Sequence, residues 1–388
     1  MREPTFSFGI EEEYHLVDLT TRDLADAPKP LMRDLEAKFG SRVSPEFLRS
    51  QIEIGTSPLN SFADARAELV ELRAGIANAA ARYGLVPVAS GTHPFAAPDA
   101  TEVTNKRRYR ELDRDLAGAI RGMSVCGMHV HAGIEDDDLR IDLMNQARYF
   151  LPHLLALSTS SPFWRGVDTG LKSYRKAMLA RLPRSGVPGL FASWQEYERT
   201  IAVLADAGIA ADGTKFWWDL RPSARFPTLE VRVADVCPLI EDALSIAALY
   251  LCFLRMLVRY RRSNLKWRTY PICLIEENLW RAQRYGMRGE LLDLSKGKLV
   301  PFADLLQEIK ALIGEDAEAL GCVSEIARLN EILISGTSAE RQVQAYEKRL
   351  AEGANEHEAL IAVTDQLIAE TLHGTGVASP AREAALAH

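Results

Sequence analysis

The sequence predicts an α+β protein in which helices cover one face of a mainly antiparallel sheet of about six strands, with a helical section after the sheet. Four segments alternate strictly between apolar and polar residues, a pattern typical of strands with one buried face. Segments with apolar residues at helical spacing separate these strands. From about Pro301 onward, every periodic segment has the helical period.

The six predicted strands fall into two groups. The strictly alternating segments are Phe6–Asp18, Ser50–Thr56, Val125–Ile134 and Thr228–Asp235. Two weaker candidates are LVPVAS, which follows Gly84, and the segment Thr214–Leu220. Several flanks lack the glycine-rich turns of a dinucleotide-binding unit, which favours antiparallel pairing over a doubly wound sheet.

End signals mark the helices between these strands. The segment after Asn60 has helical periodicity and stops at Gly84, a residue suited to a helix C-terminus. A second helix is predicted after the acidic run Asp136–Asp138, because negative charge is favourable at a helix N-terminus. Ser193 and Glu196 form a predicted capping box at the start of a third.

The composition is that of a globular protein with a substantial core. The chain has 388 residues, of which 47% are hydrophobic and 26% charged. Because no linker or repeat divides it, we predict a single catalytic domain over residues 1–375, with a sheet core at about 6–235 and a helical part at about 240–375. Residues 376–388 are expected to form a flexible tail.

Charge and cysteine content bound the partners and the compartment. The net charge of -7 argues against a dedicated nucleic-acid binder, since such proteins need basic surfaces. No secretory signal is visible, and the most apolar segment carries Glu241, Asp242 and Arg255, which favours a buried helix over a membrane span. Five scattered cysteines indicate buried thiols in a reducing cytoplasm.

The first strand, FGIEEEYHLVD, contains three consecutive carboxylates. Side chains alternate between the two faces of a strand, so Glu12 shares the apolar face while Glu11 and Glu13 point the other way. A carboxylate on a buried face needs a partner, and we expect an arginine to neutralise Glu12.

Three other strands repeat this arrangement, with polar residues opposite an apolar face. If all four strands belong to one sheet, its second face carries Glu11, Glu13, Glu53, His129, His131, Glu230 and Arg232. Such a set of residue types is characteristic of a metal site.

The charges on this face are costly without cations. Carboxylates two positions apart on a strand lie roughly 7 Å from each other. At an effective dielectric constant of about 20 their repulsion is about 2 kcal/mol. Carboxylate oxygens favour the hard cations Mg²⁺ or Mn²⁺. Arg232, close to Glu230, could bind a phosphate bidentately beside such ions.

Further cations are candidates for binding substrate or nucleotide. Arg165 and Arg175 lie in a loop rich in hydrogen-bond donors, which suits an anionic substrate, although a solvated loop would have the same composition. Lys215 and Arg221 flank the tryptophan-rich segment KFWWDLRP, where core tryptophans with surface cations are the alternative. The sequence lacks the GxxxxGK[ST], HExxH and GxSxG motifs, so bound nucleotide would need carboxylate-held metal ions.

Five motifs in this order resemble the carboxylate-amine ligases of the glutamate-cysteine ligase family, specifically the bacterial type-two group. The motifs are FGIEEEYHLVD, SQIEIGTSP, CGMHVHAGI, SSPFWRGVDTG and TLEVRVADVCP. The resemblance extends from about Phe6 to Gly286, and the helical remainder is compatible with it.

The resemblance implies a fold related to glutamine synthetase, with a curved antiparallel sheet that forms a funnel around ATP and two or three Mg²⁺ ions. By position, it implies that Arg232 contacts the nucleotide phosphate. We assign catalytic roles to Arg232 and Glu53 and a further ATP contact to Lys215. His131 departs from some relatives, which have Asn there, so we assign it to substrate binding together with Arg165, Arg175 and Arg221. The implied metal ligands are Glu11, Glu13, Glu53, His129 and Glu230.

The implied reaction joins a carboxylate to an amine at the expense of ATP. A substrate carboxylate, the γ-carboxylate of glutamate in the parent activity, attacks the γ-phosphate to form an acyl phosphate. The amine, that of cysteine in the parent activity, then displaces phosphate. The expected partners are therefore ATP and small amino-acid substrates, with a homodimer as the expected assembly.

Two alternatives remain open from the sequence. His129 and His131 form an HxH pattern, which occurs in Zn²⁺-dependent amidohydrolases, although the remaining histidines lie in helical patterns, in a turn or near the end of the chain. The second alternative is a ligase relative that binds nucleotide or metal without turnover.

Overall fold

The computed structural model describes residues 3–97 and 101–378. The predicted flexible tail at 376–388 therefore lies mostly outside the described residues, and only its first three positions are inside them.

The main sheet has seven strands among the described residues, in the order β10-β11-β5-β1-β3-β2, with β4 pairing to β1 as well. All its pairs are antiparallel, as the sequence predicts. The strands of the described chain are β1 Phe8–Asp18, β2 Val43–Pro45, β3 Gln51–Gly55, β4 Leu85–Val88, β5 Met128–Gly133, β6 Phe163–Trp164, β7 Val167–Asp168, β8 Ser185–Gly186, β9 Trp217–Trp218, β10 Leu220–Pro222, β11 Thr228–Val231, β12 Glu290–Asp293 and β13 Lys298–Pro301.

Strand β1 is the centre of the sheet because it is long enough to have three partners. β3 runs along one edge, while β5 and β4 share the other, β5 beside the first half of β1 and β4 beside the second. This arrangement places the first carboxylate segment between β3 and β5, the strands that carry Glu53 and His129.

Helices cover the apolar face of the sheet. The longest, α8, passes through the core with most of its residues buried, as its continuous apolar sequence predicts. The helices of the described chain are α1 Lys29–Phe39, α2 Phe62–Ala81, α3 Arg107–Leu116, α4 Asp137–Ala147, α5 Leu151–Ser158, α6 Tyr174–Leu179, α7 Trp194–Asp206, α8 Ile240–Arg262, α9 Ile272–Tyr285, α10 Phe302–Ala319, α11 Val323–Ser335, α12 Ser338–Ala351 and α13 Glu356–Thr371.

Helix α8 is also the one described helix that is long and apolar enough to cross a membrane. Its apolar window is 83% buried inside the protein, which is the property of a core helix rather than of a span. The charged groups of this helix are paired as well, since Arg255 and Arg259 both bind the buried Asp316 of α10.

Glu12 has the partner that its buried position requires. The Oε1 and Oε2 atoms of Glu12 accept hydrogen bonds from the Arg73 Nη2 and Nε atoms at 2.7 and 3.0 Å, and both side chains are fully buried. Tyr14 donates its hydroxyl to the same carboxylate. Arg73 comes from α2 and also donates to the backbone oxygen of Cys237 at 2.9 Å, so the pair joins the sheet, α2 and the segment after β11.

The structure differs from the sequence-based expectations in some local details. The segment Thr214–Leu220 is not one strand: a 3₁₀ turn at Gly213–Lys215 precedes the two short strands β9 and β10. The part predicted as helical from about residue 240 contains the hairpin β12–β13, which joins α9 to α10. Of the five thiols, Cys273 is exposed, whereas the other four are buried as expected.

Candidate active site

The polar face of the main sheet brings the predicted carboxylates and histidines together in cross-strand rows. Across β5 and β1, His129 lies opposite Glu11, and across β1 and β3, Glu13 lies opposite Glu53. A third row joins Arg221, Glu230 and His131 across β10, β11 and β5. Directly opposite residues on antiparallel strands have Cβ atoms about 5 Å apart, so each row places its side chains in contact.

The first acidic group consists of Glu11, His131 and Glu230. One ligand atom from each of these residues lies within 4.8 Å of the others. His131 Nε2 is 3.4 Å from Glu11 Oε1, and His131 Nδ1 bonds Thr228 Oγ1 at 2.9 Å, which fixes the imidazole ring. A hydrogen bond to the imidazole nitrogen that faces away from the ion is the usual support of a metal-binding histidine.

The second acidic group consists of Glu13, Glu46 and Glu53, with the same 4.8 Å limit between ligand atoms. Ser44 on β2 donates to Glu53 Oε1 at 3.3 Å, and the backbone N–H of Gly127 donates to Glu13 Oε2 at 2.6 Å. Glu46 follows β2 directly and accepts a hydrogen bond from the Tyr109 hydroxyl at 2.8 Å. Glu46 is absent from the residues predicted on the sheet face.

His129 lies between the two groups. Its Nδ1 atom is 3.2 Å from Glu11 Oε2, and its Nε2 atom is 3.9 Å from Glu13 Oε1. The Nε2 atoms of His129 and His131 are both buried without a hydrogen-bond partner. A buried imidazole nitrogen that lacks a partner and lies beside carboxylates has the chemistry of a metal ligand.

Burial and repulsion from neighbouring carboxylates raise the pKa values of two members of the second group, Glu13 and Glu53. Burial and the neighbouring Glu46 raise the pKa of Glu13 to about 7. Burial and the carboxylates of Glu46 and Glu11 likewise raise the pKa of Glu53 well above its usual range. Close carboxylates that have no counter-charge take up protons, and a divalent ion would supply that charge instead.

The first group has its own positive charges. Burial alone would raise the pKa of Glu11, but the neighbouring His129 and His131 outweigh burial and hold it well below its usual value. Glu230 shows the same balance: its burial is outweighed by Arg232 and Arg221, so its pKa is also lowered. The two acidic groups are therefore electrostatically different.

Arg232 and Arg221 both contact Glu230. Arg221 donates through Nε to Glu230 Oε2 at 3.1 Å, and Arg232 donates to Glu230 Oε1. Arg232 Nη1 also lies 3.2 Å from His129 Nδ1. Arg232 therefore lies between the two groups, where a guanidinium could bind an anion that the metal ions also contact.

Arg175 lies beside this face, whereas two other predicted cations are elsewhere. Arg175 is on α6 and is 3% exposed. Arg165 is in the exposed turn between β6 and β7, outside the cavity lining described below. Lys215 lies in the 3₁₀ turn with its Nζ atom 3.7 Å from Asp115 and is likewise outside that lining.

A cavity of about 110 Å³ opens beside the second acidic group. Glu13, Glu46, His129, Arg232 and Arg175 contribute its polar lining together with Gln51 and Asp219, and residues such as Met123 and Trp217 contribute an apolar wall. The cavity thus connects the carboxylate face to a region where a small organic molecule could bind.

Buried Asp235 fixes the start of α6, the helix that carries Arg175. Its carboxylate accepts hydrogen bonds from Ser161 Oγ at 2.7 Å and from Ser173 Oγ at 2.8 Å. Ser161 Oγ in turn accepts the backbone N–H of Arg175 at 3.1 Å. Asp235 was not among the predicted site residues, although it closes the motif TLEVRVAD in which Glu230 and Arg232 were found.

The chain matches the family model of glutamate-cysteine ligase family 2 (GCS2) over residues 7–366. It is 53% identical over 381 residues to a Rhodospirillum rubrum protein named "Putative glutamate--cysteine ligase 2", covering 97% of this chain and 98% of that protein. A protein of the same name from Chloroflexus aurantiacus is 40% identical over 369 residues, covering 95% and 93%.

Solved structures show the same fold at low sequence identity. Glutamate–cysteine ligase from Francisella tularensis, solved in complex with AMP, superposes with a TM-score of 0.68 at 15% identity and covers 99% of this chain and 92% of its own. A bifunctional glutathione synthetase from Pasteurella multocida gives 0.66 at 16% identity, covering 93% and 52%.

These similarities confirm the predicted fold, an antiparallel sheet with helices of the glutamine synthetase-like ligases. They also confirm the predicted enzyme class, which uses ATP and a divalent metal on small-molecule substrates. The chain belongs to glutamate-cysteine ligase family 2 and is an ATP-dependent carboxylate-amine ligase.

Proposed function

We propose that this ligase joins the γ-carboxylate of glutamate to the amine of cysteine or of another amino acid through an acyl phosphate. The observation that carries the proposal is the pair of acidic groups on one sheet face, with His129 between them and two buried imidazole nitrogens that lack partners. This arrangement suits phosphoryl transfer, in which positioning and charge stabilisation do most of the work.

The reaction has two steps. In the first, a carboxylate oxygen of the substrate attacks the γ-phosphorus of ATP, the bond to the β,γ-bridging oxygen breaks, and ADP leaves. In the second, the amine nitrogen attacks the acyl carbon, the bond between that carbon and the phosphate oxygen breaks, and phosphate leaves with the electron pair. The nitrogen loses a proton, and the products are an amide and phosphate.

Two divalent ions, Mg²⁺ or Mn²⁺, fit the donor set. Glu11, His131 and Glu230 would hold one ion, and Glu13, Glu46 and Glu53 the other, with His129 within reach of both groups. Two of these proposed metal ligands are new relative to the sequence prediction: Glu46 had no predicted role, and His131 was assigned to substrate binding. Bound ions would neutralise phosphate charge and align its oxygens.

The protein's own cations complete the site. Arg232 points its guanidinium to the space between the two groups and is proposed to bind the γ-phosphate. Arg221 keeps Glu230 ionised and oriented, so its role is positioning rather than direct substrate contact. Arg175 is proposed to bind substrate from within the cavity. The nucleotide contact predicted for Lys215 and the substrate contact predicted for Arg165 stay predictions from the sequence, because neither residue lines this cavity.

The test is ADP release by the purified protein with ATP, Mg²⁺ or Mn²⁺, glutamate and a series of amines. We expect release to require all four components and to fall by at least about 100-fold in Glu53→Gln. Glu241→Gln is the matched control, because it removes a partly exposed carboxylate on α8 that belongs to neither acidic group and does not line the cavity. This variant should retain full activity. Protein that binds ATP but releases no ADP with any amino-acid pair would overturn the proposal and leave the silent-relative alternative.

The zinc alternative is tested with the same protein. The acidic group that contains His131 does not include His129. Both histidines nevertheless lie beside Glu11, at 3.2 and 3.4 Å, so a two-histidine zinc site stays the alternative to test. Activity that returned after metal stripping with Zn²⁺ and without ATP would support hydrolysis. We further propose that residues 1–375 act as one catalytic domain in the cytoplasm and that the protein forms a homodimer, which light scattering would check.

A further inference from the structure

The cavity beside the second acidic group has two chemically different sides. One side carries Glu13 and Glu46 at the proposed metal site. The other side is a continuous apolar wall that belongs to a small hydrophobic cluster packed beneath α3 and α6. The wall includes Phe47, Ile120, Met123, Leu179, Leu182 and Trp217.

Arg175 lines the same cavity with unused hydrogen-bonding capacity. Its Nε and Nη1 atoms are buried without hydrogen-bond partners, and its Nη2 atom donates to the backbone oxygen of Arg232 at 3.3 Å. The nearest carboxylate oxygen to Nη1 belongs to Asp235 and lies 3.9 Å away, beyond hydrogen-bond length. Leaving buried guanidinium donors unpaired is costly, which indicates that they face a ligand in the working enzyme.

The backbone nearby is adapted to this position of Arg175. A Cβ atom at Gly127 would collide with the Arg175 guanidinium, so glycine allows the side chain to lie against β5. Asp235 fixes the start of α6 through Ser161 and Ser173, as described above. Two separate parts of the fold therefore hold the guanidinium at the cavity.

The carboxylate of Asp219, which also lines the cavity, is already paired. Lys176, the next residue on α6, donates to both carboxylate oxygens of Asp219 at 2.6 Å, so Asp219 is neutralised. Of the two arginines that line the cavity, Arg175 has buried donors without partners, whereas Arg232 bonds Glu230. A carboxylate is the ligand that matches a guanidinium with two free nitrogens.

We propose that this cavity binds the amine substrate, and that the substrate is an α-amino acid with an apolar side chain. Its α-carboxylate bonds to Arg175, its side chain lies against the apolar wall, and its amino group faces Glu13 and the acyl phosphate beyond it. This inference rests on the proposed ligase function and assigns the amine that the function leaves open.

The apolar wall favours binding of an amino acid with a large apolar side chain over amines with small or polar side chains. The six wall residues named above present only hydrocarbon, aromatic, thioether and indole groups to the cavity. A hydrophobic pocket discriminates by about 10- to 200-fold for each methylene of matched side chain. Leucine or methionine should therefore be used more efficiently than alanine or cysteine.

The experiment measures ADP release with glutamate held constant and the amine varied. Hydroxylamine, which has neither carboxylate nor side chain, serves as the small reference nucleophile, and alanine, cysteine, leucine, methionine and phenylalanine form the series. We expect kcat/KM for leucine or methionine to exceed that for cysteine by at least about tenfold. Cysteine as the best amine, or equal values throughout the series, would overturn the inference.

A conservative variant tests the wall directly. Val125 also lines the cavity, and Val125→Thr replaces a methyl group with a hydroxyl of similar size. We expect the ratio of kcat/KM for leucine to that for hydroxylamine to fall by about tenfold, whereas Val203→Thr on the exposed side of α7 leaves it unchanged. An unchanged ratio in Val125→Thr would contradict the proposed position of the side chain.

The two levels of the proposal fail differently. If hydroxylamine yields ADP and a hydroxamate but the amino acids show no apolar preference, the ligase function stands and the substrate assignment is wrong. If no amine, including hydroxylamine, releases ADP, the proposed function itself is wrong and the substrate assignment falls with it.

Discussion

Replacing Glu12 with glutamine should strongly destabilise the protein, because it removes the counter-charge of a fully buried arginine. Glu12 and Arg73 are both 0% exposed, and two hydrogen bonds of 2.7 and 3.0 Å join them. Arg73 would keep its charge and its bonds to backbone oxygens in the variant, so the guanidinium would remain buried. Breaking such a pair from one side costs about 3–5 kcal/mol of unfolding free energy.

The chain provides a control with the same geometry and a different environment. Arg66 donates to Glu241 through Nε and Nη2 at 2.7 and 2.8 Å, but both side chains are more than a third exposed. Exposed pairs contribute about 0–1 kcal/mol, so Glu241→Gln should have little effect. The difference in unfolding free energy between the two variants therefore measures how burial changes the contribution of an Arg–Glu pair joined by two hydrogen bonds.

Urea denaturation followed by circular dichroism gives both free energies, provided that each variant unfolds in one cooperative transition. We expect Glu12→Gln to lower the free energy of unfolding by about 3–5 kcal/mol and Glu241→Gln by less than about 1 kcal/mol. A loss of less than about 1 kcal/mol in Glu12→Gln, or equal losses in the two variants, would refute the reasoning that Glu12 is a structural carboxylate rather than a member of the active site.

Three further predictions concern the site itself. Mn²⁺ or Mg²⁺ at 100 times its dissociation constant should stabilise the fold by about 2.7 kcal/mol, which thermal melts would detect. EDTA should reverse this stabilisation. An equal stabilisation of Glu53→Gln by the metal would contradict the assignment of Glu53 as a ligand. Burial and Glu46 raise the pKa of Glu13 to about 7, so the folded protein holds a proton on Glu13 more tightly than the unfolded chain does. This contribution to the stability of the metal-free protein is fully present below pH 4.5, the ordinary pKa of the group, and is lost as the pH rises through about 7. The Tm of the metal-free protein should therefore fall over this range and recover on addition of Mn²⁺, whereas a flat profile would exclude an unneutralised Glu13. Finally, Arg232→Lys keeps the charge but loses the bidentate geometry, so kcat/KM for ATP should fall by about 100-fold or more, and a change below about threefold would remove Arg232 from phosphate binding.

The sheet face was predictable because strand geometry has a period of two. Once FGIEEEYHLVD is assigned to a strand, the separation of Glu12 from Glu11 and Glu13 follows without any tertiary information. The same rule placed Glu53, His129 and Glu230 on that face, and the observed registers bring these residues into adjacent rows. The predicted arginine partner of Glu12 could be anticipated as a residue type, but its position on α2 depends on helix packing.

Other features depend on tertiary structure and left no periodic signal. Glu46 lies just after the three-residue strand β2, too short for alternation to be visible, and reaches the site through the fold of that loop. Asp235 was readable as part of a strand pattern, but its role depends on serines more than sixty residues away. Lys215 and Arg165 were chosen for charge in donor-rich segments, and nothing local indicates which way such side chains point.

The failure at Thr214–Leu220 has a local cause. Asp212 caps the turn at Gly213–Lys215 by accepting the backbone N–H of Thr214 at 2.7 Å, which competes with extended structure. The aromatic residues that follow have high strand propensity, so the segment as a whole resembles one longer strand. A capping aspartate before the segment was the signal that could have corrected the boundary.

The fate of the substrate's carboxylate oxygen tests the central claim most directly. Glutamate labelled with ¹⁸O in its γ-carboxylate is incubated with the enzyme, ATP, Mg²⁺ and the best amine, and the released phosphate is analysed by mass spectrometry. Transfer through an acyl phosphate predicts one ¹⁸O atom in each phosphate, because the oxygen that attacked phosphorus leaves with it. Phosphate that carries no label, with ATP consumed at the same rate, would show hydrolysis by water and contradict the account.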